Sequence, residues 1–575
     1  MDFKTHISYN YPMKTKSFLR RFSFSTVFII IFAVTSAFSG VYNAVSGHRA
    51  FSNPEYSILY NLSLSKVSDG DLPDWALLDP DKDGYEGTRT KTFFEYINSL
   101  PEAPQRSEVI VAVIDSGFDI NHPALKNRIW QNEAEVNGVA GVDDDGNGYI
   151  DDFNGWNFLG DVKYSNYEMT REFRRLKMEK VPESDPYYQK VVQEMKEERD
   201  EVEGTLSGLK QTMEVVEDAY ETLKSGGYPT DPEKLQLVQE NLSGKYREAA
   251  NKIMTAYLLF GVTKEDLDEY IKEYTIKDKY LFDTTMAHFP YNDNPNVLDE
   301  KGYGNNDVSV DFESHGTHVS GIIAGEKDGI GQAPFAKIMT LRAVPNEGDE
   351  RDKDIGNAIR YAVDNGADII NMSAGKYYSP NPEYVVDAIN YAKEKGVLFV
   401  VSAGNEALDV EKTVNYPRKY YVENGQVKSF DNMIVVGAST WMKSWNEDKD
   451  PDDLAQGFDL AAPFSNYSET VVDVFAPGLE INSTIPGSKY ERISGTSMAS
   501  PEVAGVAAVL KAYFPYLTPE QIKETLINSV RKYDGLKVKV RGKNSKMDFE
   551  KMSKSGGVID LMNAFEYART HFTSN

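Results

Sequence analysis

The sequence predicts an α/β fold: a mostly parallel, doubly wound sheet with an all-α helical hairpin or bundle inserted into it. Two patterns carry this prediction. From residue 354 onward, short apolar runs alternate with stretches of helical period, as βα units do. Between residues 195 and 223 the apolar spacing instead alternates four and three, which marks a narrow seam on one long helix.

In chain order, the apolar run 109–114 reads as a buried parallel strand closed by Asp115, Ser116 and Gly117. The seam then runs through Val202, Leu206, Leu209, Met213, Val216, Tyr220 and Leu223, with Met195 seven residues before Val202, until Gly226-Gly227-Tyr228-Pro229 breaks it. Thr230-Asp231-Pro232 and Thr263-Lys264-Glu265-Asp266 open further helices. A helix over 354–365 places Ile355, Ala358, Ile359, Ala362 and Val363 on one face, and a strand over 369–372 follows it. The pattern repeats with a helix over 383–395 and a strand over 397–401, then strands over 433–436 and 471–475. An apolar helix over 503–510 should be central and buried. Thr518-Pro519-Glu520 caps another helix, and residues 555–560 lead into the last one, ending near Ala568.

At 575 residues the chain exceeds what one core needs, which predicts additions to one main domain. Its 62 Lys and Arg against 89 Asp and Glu give a net charge of −27, which argues against nucleic-acid binding. The absence of cysteine excludes disulfides, thiol catalysis and a lipidated cysteine. Lys14, Lys16, Arg20 and Arg21 precede an apolar run over 24–38 with small residues at its end, the pattern of an export signal. The expected location is therefore periplasmic, cell-surface or extracellular, with membrane contact only if that segment stays uncleaved. The expected organisation is a signal peptide over 1–39, an N-terminal extension or pro-segment over 40–107, the first part of the main domain over 108–158, a helical coiled-coil insertion over 159–299 and the second part over 300–575.

Four local motifs point to nucleophilic chemistry. Ser497 lies in Gly495-Thr496-Ser497-Met498-Ala499-Ser500-Pro501, where a turn of small residues feeds an apolar helix. A serine hydroxyl needs a base, an orienter for that base and donors for the oxyanion that develops. His315, at the entry of the Ser314-His315-Gly316-Thr317-His318 helix, is the candidate base, because His318 falls one turn further along. A zinc pair is the alternative use of His-x-x-His, but the Glu of a His-Glu-x-x-His site is absent. Asp115, at the carboxyl end of a buried strand, is the candidate orienter. Asn405, just past the strand over 397–401, is the candidate oxyanion donor.

Through these blocks the chain resembles the subtilisin-like serine proteases, whose triad runs Asp, His, Ser in the same chain order. The resemblance implies a serine endopeptidase that needs no cofactor for catalysis, with Asp115, His315, Ser497 and Asn405 in the roles just given. It also implies that Ser373, Ala374 and Gly375 form one wall of the pocket for the residue before the scissile bond. Ser402, Ala403 and Gly404 form the other, and an extended polypeptide adds as a strand beside the first. Three features depart from the family. Asn415 stands at the pocket floor where members often carry a smaller residue, which predicts a narrower or more polar pocket. Glu502 stands where many members carry His. The Asp-to-His separation is far longer than usual, and the insertion that fills it reads as a structural elaboration, a lid, or an arm for a protein partner. The alternatives are accordingly a narrow processing protease gated by the insertion, or a non-catalytic scaffold.

The loop from Asp143 to Asp151 places Asp143, Asp145, Asn147, Tyr149 and Asp151 at alternate positions with Gly148 sixth, as in a calcium loop, but its twelfth place is Asn154 rather than Glu. A structural calcium site or a solvated acidic loop are the two readings.

Overall fold

The computed structural model describes residues 72–573 apart from 103, 261, 286–288, 291, 310–313, 328, 444–458 and 541–544. The expected signal segment lies outside the described residues, and among those described no helix is long and apolar enough to cross a membrane.

Nine strands make the main sheet: β1 (Ile110–Asp115), β2 (Gly155–Asn157), β3 (Lys337–Arg342), β4 (Ile369–Met372), β5 (Leu398–Ser402), β6 (Met433–Ser439), β7 (Val474–Pro477), β8 (Arg531–Lys532) and β9 (Gly557–Val558). Their order is β8-β9-β7-β6-β5-β4-β1-β3-β2. Every pairing is parallel except β8 with β9. Because β3 lies on one side of β1 and β4 on the other, the order reverses at β1. That reversal opens a crevice at the carboxyl ends of the strands, where open α/β sheets bind ligands. Ile114 is level with Met372, and Met372 with Val401, so β1, β4 and β5 end side by side.

Six of the helices are α1 (Glu168–Met178), α2 (Pro186–Ser225), α3 (His315–Ala324), α4 (Asp352–Asp364), α5 (Pro382–Glu394) and α6 (Thr496–Tyr513). One core packs α3 and α6 on one face of the sheet, and a second packs α4 and α5 on the other. Val503, Val506, Val509 and Leu510 of α6 are fully buried, each contributing about 1.5–3 kcal/mol. The leader joins the first core: Trp75, Phe93 and Ile97 are buried in it, and Trp75 Nε1 donates to the Leu479 carbonyl at 3.1 Å.

Two boundaries differ from expectation. Helix α6 starts at Thr496, seven residues before the expected 503, and carries Pro501 inside it. Proline removes the N–H that would bond Ser497 O four residues back. Ser373 Oγ donates to that carbonyl instead, at 2.9 Å, which ties the Ser497 turn to the end of β4. Strand β7 begins at Val474 rather than 471, because Asp473 caps the ladder. Its N–H donates to Val435 O at 2.8 Å and its carboxylate accepts from Val435 N–H at 3.0 Å.

The chain divides into two compact units, one taking in Asp200–Tyr274 and the other the described residues up to Arg199 together with Thr275–Asn575. The packing boundary therefore falls inside the expected 159–299 insertion. The Asp200–Tyr274 unit is helical: the later part of α2 precedes helices Pro232–Val238, Gly244–Phe260 and Lys264–Tyr280. Val202, Leu206, Met213, Val216, Tyr220 and Leu223 bury the seam read from the sequence, together with Leu235, Ala250 and Ile253. Asp231 caps Pro232–Val238 by accepting from Lys234 N–H, as its sequence predicts.

Candidate active site

Asp115 closes β1 and is 2 % exposed. Its Oδ1 accepts from Ser116 N–H at 2.8 Å, from Ser116 Oγ at 3.2 Å and from His315 Nδ1 at 2.8 Å. A carboxylate on Nδ1 fixes the imidazole tautomer and leaves Nε2 as the working nitrogen. His315 is the first residue of α3, and Gly316 lets that helix approach β1. A Cβ at Gly316 would stand 2.4 Å from Gly117 O and 3.1 Å from Asp115 Cβ.

His318, one turn on, is fully buried and donates Nε2–H to the Glu491 carbonyl at 3.0 Å. Burial pushes its pKa down to about 3, so it stays neutral as a core residue.

Ser497 is the second residue of α6 and half-buried, with its Oγ 3.2 Å from Ser373 O. In the first helical turn its N–H has no intrahelical acceptor and is available to an anion. Asn405 is exposed, and its Oδ1 accepts from both Thr496 N–H at 2.8 Å and Thr496 Oγ1 at 2.9 Å. With the oxygen clamped, the amide NH₂ is the end left to donate. The preceding Gly404 has φ +98°, and a Cβ there would meet Asn466 Nδ2 at 2.4 Å. Asn466 Nδ2 in turn donates to Ala403 O at 2.9 Å, holding the turn.

The two predicted pocket walls leave adjacent strands: Ser373, Ala374 and Gly375 follow β4, while Ser402 ends β5 and Ala403 and Gly404 follow it. Asn415 lies between them. A Cβ on Gly375 would be 3.0 Å from Asn415 Oδ1, and Asn415 Nδ2 is 3.5 Å from Ala403 O. Beyond Gly375, Lys376 forms an antiparallel bridge with Tyr416, with N···O distances of 3.1 and 2.8 Å.

The acidic loop gathers a set other than the five positions read from the sequence. Carboxylate oxygens of Glu135, Asp145 and Asp152 lie within 4.8 Å of one another, and only Asp145 belongs to the expected set. Asp143 instead accepts from Asn147 N–H at 3.1 Å and Gly148 N–H at 2.9 Å. Asn147 Oδ1 accepts from Tyr149 N–H at 2.8 Å, and Asp151 Oδ2 from Gly141 N–H at 2.8 Å. The alternation that resembled a ligand series is spent largely on turns of the loop's own backbone. Three hard carboxylates fit a divalent cation such as calcium. Burial raises the Asp152 pKa to about 6, against hydrogen bonds from Tyr361, Asn147 and Asn132 that lower it.

Sequence reading missed Glu135 and Asp152 because the alternating register drew attention to 143–151. It also missed Thr496 as the clamp on Asn405, although Thr496 stands in the quoted motif. Lys376 and its partner Glu168, 208 residues apart, carried no local signal.

The family model of the subtilases matches residues 106–547, and the chain belongs to that family. A thermophilic serine proteinase of Bacillus sp. (strain AK1) is 41 % identical over 217 residues, covering 36 % of this chain and 46 % of that protein. The major intracellular serine protease of Bacillus subtilis (strain 168) is 36 % identical over 224 residues, covering 38 % of this chain and 61 % of that one. The match thus spans about half the length of the first relative and under two thirds of the second. A solved cold-adapted subtilisin-like serine proteinase is 28 % identical, with a TM-score of 0.33, covering 42 % of this chain and 76 % of that one.

Proposed function

We propose that this chain is a serine endopeptidase that cleaves extended polypeptides through an acyl-enzyme on Ser497. The observation that carries the reading is the 2.8 Å contact between Asp115 Oδ1 and His315 Nδ1 at the end of β1. It stands beside an Asn405 amide whose oxygen is already held by Thr496.

In this mechanism His315 Nε2 takes the Ser497 proton as Oγ attacks the carbonyl carbon, and Asp115 stabilises the imidazolium that forms. The oxyanion is met by Asn405 Nδ2–H and Ser497 N–H, both fixed before the substrate arrives. His315 then protonates the leaving amine. Water enters, gives its proton to His315 and attacks the acyl carbon; His315 then returns that proton to Ser497 Oγ as the C–O bond breaks, which releases the acid and restores Ser497.

Asn415 supports a narrow form of this activity. Its amide spans the floor between Gly375 and Ala403, so the pocket suits a small residue before the scissile bond. Asn415→Gly should raise kcat/KM for phenylalanine at that position roughly 10- to 100-fold relative to alanine. An unchanged ratio in a peptide anilide panel would remove Asn415 from the floor.

Glu135, Asp145 and Asp152 would hold a structural calcium, which supplies charge neutralisation to the loop. Apparent Tm should then rise with added calcium, and Asp145→Asn should abolish the rise. Export is the reading of the N-terminal segment; N-terminal sequencing of protein recovered outside the cytoplasm tests it. The overall reading is tested by turnover of casein and a peptide anilide. Ser497→Ala protein that folds and retains wild-type turnover would sink it.

A further inference from the structure

The groove has one open rail and one closed end. In an extended segment, alternate residues present N–H and C=O to the same edge. Lys376 presents its pair to Tyr416, so Ser373 and Gly375 present theirs to the opposite edge, where the Ser373 carbonyl faces the Ser497 hydroxyl at 3.2 Å. Among the described residues, no backbone partner takes the N–H or C=O of Gly375. A substrate strand registered with its acyl residue P1 at Ser373 has P3 at Gly375 and P4 level with Lys376.

At Lys376 the chemistry changes. Its side chain is 3 % exposed, and its ammonium donates to the Glu350 carbonyl at 2.8 Å, spanning to the segment that follows β3. The same ammonium pairs with Glu168 at 2.7 Å and Asp352 at 2.8 Å. Arg171 grips Glu168 through two bonds of 2.9 and 2.8 Å and donates to the carbonyls of Asp349 at 2.9 Å and Glu350 at 3.2 Å. Asp349 N–H bonds Asn166 O at 3.2 Å, and Asp349 Oδ2 accepts from Glu168 N–H at 2.7 Å. The backbone opposite Lys376 is therefore already occupied by residues 166–171.

The rail itself is covered one step further. Tyr378 is buried with Met169, Leu176, Tyr188 and Val191 from α1 and the first turns of α2, and its hydroxyl donates to Glu194. All these residues belong to the same compact unit as Ser497. Burial raises the Glu168 pKa, but Arg171 and Lys376 outweigh it and hold the carboxyl at about 2, so the pairing stays charged at working pH.

We propose that the root of the insertion, residues 166–194, closes the substrate groove after the third residue on the acyl side, so that recognition stops at P3. This rests on the peptidase reading of the Ser497 site. A P4 residue finds the Glu350 carbonyl bonded to Lys376 and Arg171, and its side chain meets the buried ammonium. Longer substrates must turn away from the rail at that point, gaining no further strand pairing.

The test is affinity against length, with Ser497→Ala protein and acetylated alanine peptides of two to six residues that end where the scissile bond would be. Kd should tighten up to three residues and then stay constant within about twofold. One added strand hydrogen bond is worth about fivefold, so tightening of that size at the fourth or fifth residue overturns the proposal. Equal failure of every length to bind overturns it too. In the Glu168→Gln, Lys376→Met double variant the fourth residue should begin to contribute; no change there, in folded protein, also counts against it. Wild-type protein that fails to react with a fluorophosphonate would instead sink the catalytic reading, which keeps the two failures apart.

Discussion

Asp115 with His315 and Glu168 with Lys376 are both buried pairings at the crevice edge, and they are built to opposite ends. Glu168 is saturated by Arg171 and Lys376, and Lys376 by Glu168, Asp352 and the Glu350 carbonyl. Asp115 uses Oδ1 three times while Oδ2 is buried without a partner, and His315 stays partly exposed. The Asp115 carboxylate retains unused hydrogen-bonding capacity, whereas both partners of the Glu168 pairing are fully engaged. Burial of charge alone therefore does not single out the candidate catalytic group. What sets the Asp115 pairing apart is a carboxylate oxygen, Oδ2, buried without a partner.

The largest consequence should follow from the unsaturated pair. His315→Ala should reduce kcat by about 10⁶-fold, an order known from subtilisin, with thermal stability little changed. Asp115→Asn should cost about 10⁴-fold, because the amide presents the wrong partner to Nδ1. A loss below tenfold would erase the distinction between the two pairings. Asn405→Ala should lower kcat about 10²- to 10³-fold, with KM nearly constant, since its donor acts on the oxyanion and not on the bound ground state. The saturated pair should respond in stability instead. Lys376→Met leaves Asp352 without its cation and Glu168 with Arg171 alone, and should destabilise the fold by about 3–5 kcal/mol in urea unfolding. Adding Glu168→Gln should recover part of that loss.

Glu502 gives the smallest and most specific test, as a buried acid with no cation. Burial raises its pKa from 4.5 to about 8, and the bond from Gln332 offsets this only in part. The folded state keeps a proton that the unfolded state loses above pH 4.5. Glu502 therefore makes stability fall as pH rises from 4.5 to 8, and the slope ends above 8. Glu502→Gln should flatten that portion of the stability profile, read as Tm against pH; an unaltered slope would place the proton elsewhere. The sequence marked Glu502 only as a departure from the family, and its buried contact with Gln332 explains how α6 accommodates an acid there.

The catalytic candidates were legible although Asp115 and His315 are 200 residues apart, because each sits in a short motif at a strand end or helix entry. The alternation of strands and helices was equally legible, since its apolar periods are local. Where tertiary contacts decide, the reading shifted. Helix α6 extended back over Pro501 because Ser373 takes the freed carbonyl, and β7 moved because Asp473 ties itself to Val435. The metal candidates shifted from Asp143, Asn147, Tyr149 and Asp151 toward Glu135 and Asp152 because folding brings those two carboxylates within 4.8 Å of Asp145. The network of Glu168, Arg171, Asp352 and Lys376 had no sequence signal, since each is an ordinary charged residue until folding brings it beside the others. The compact boundaries near 199 and 274 were hidden for a related reason: α2 runs without interruption across the first.

The most direct measurement of the central claim is the site of covalent reaction with a fluorophosphonate, read by intact mass and peptide mapping on folded and denatured protein. A single adduct on Ser497 in folded protein, absent when the protein is denatured before labelling and absent in the His315→Ala variant, is the predicted result. An adduct on another serine, or none on correctly folded wild-type protein, would contradict the account.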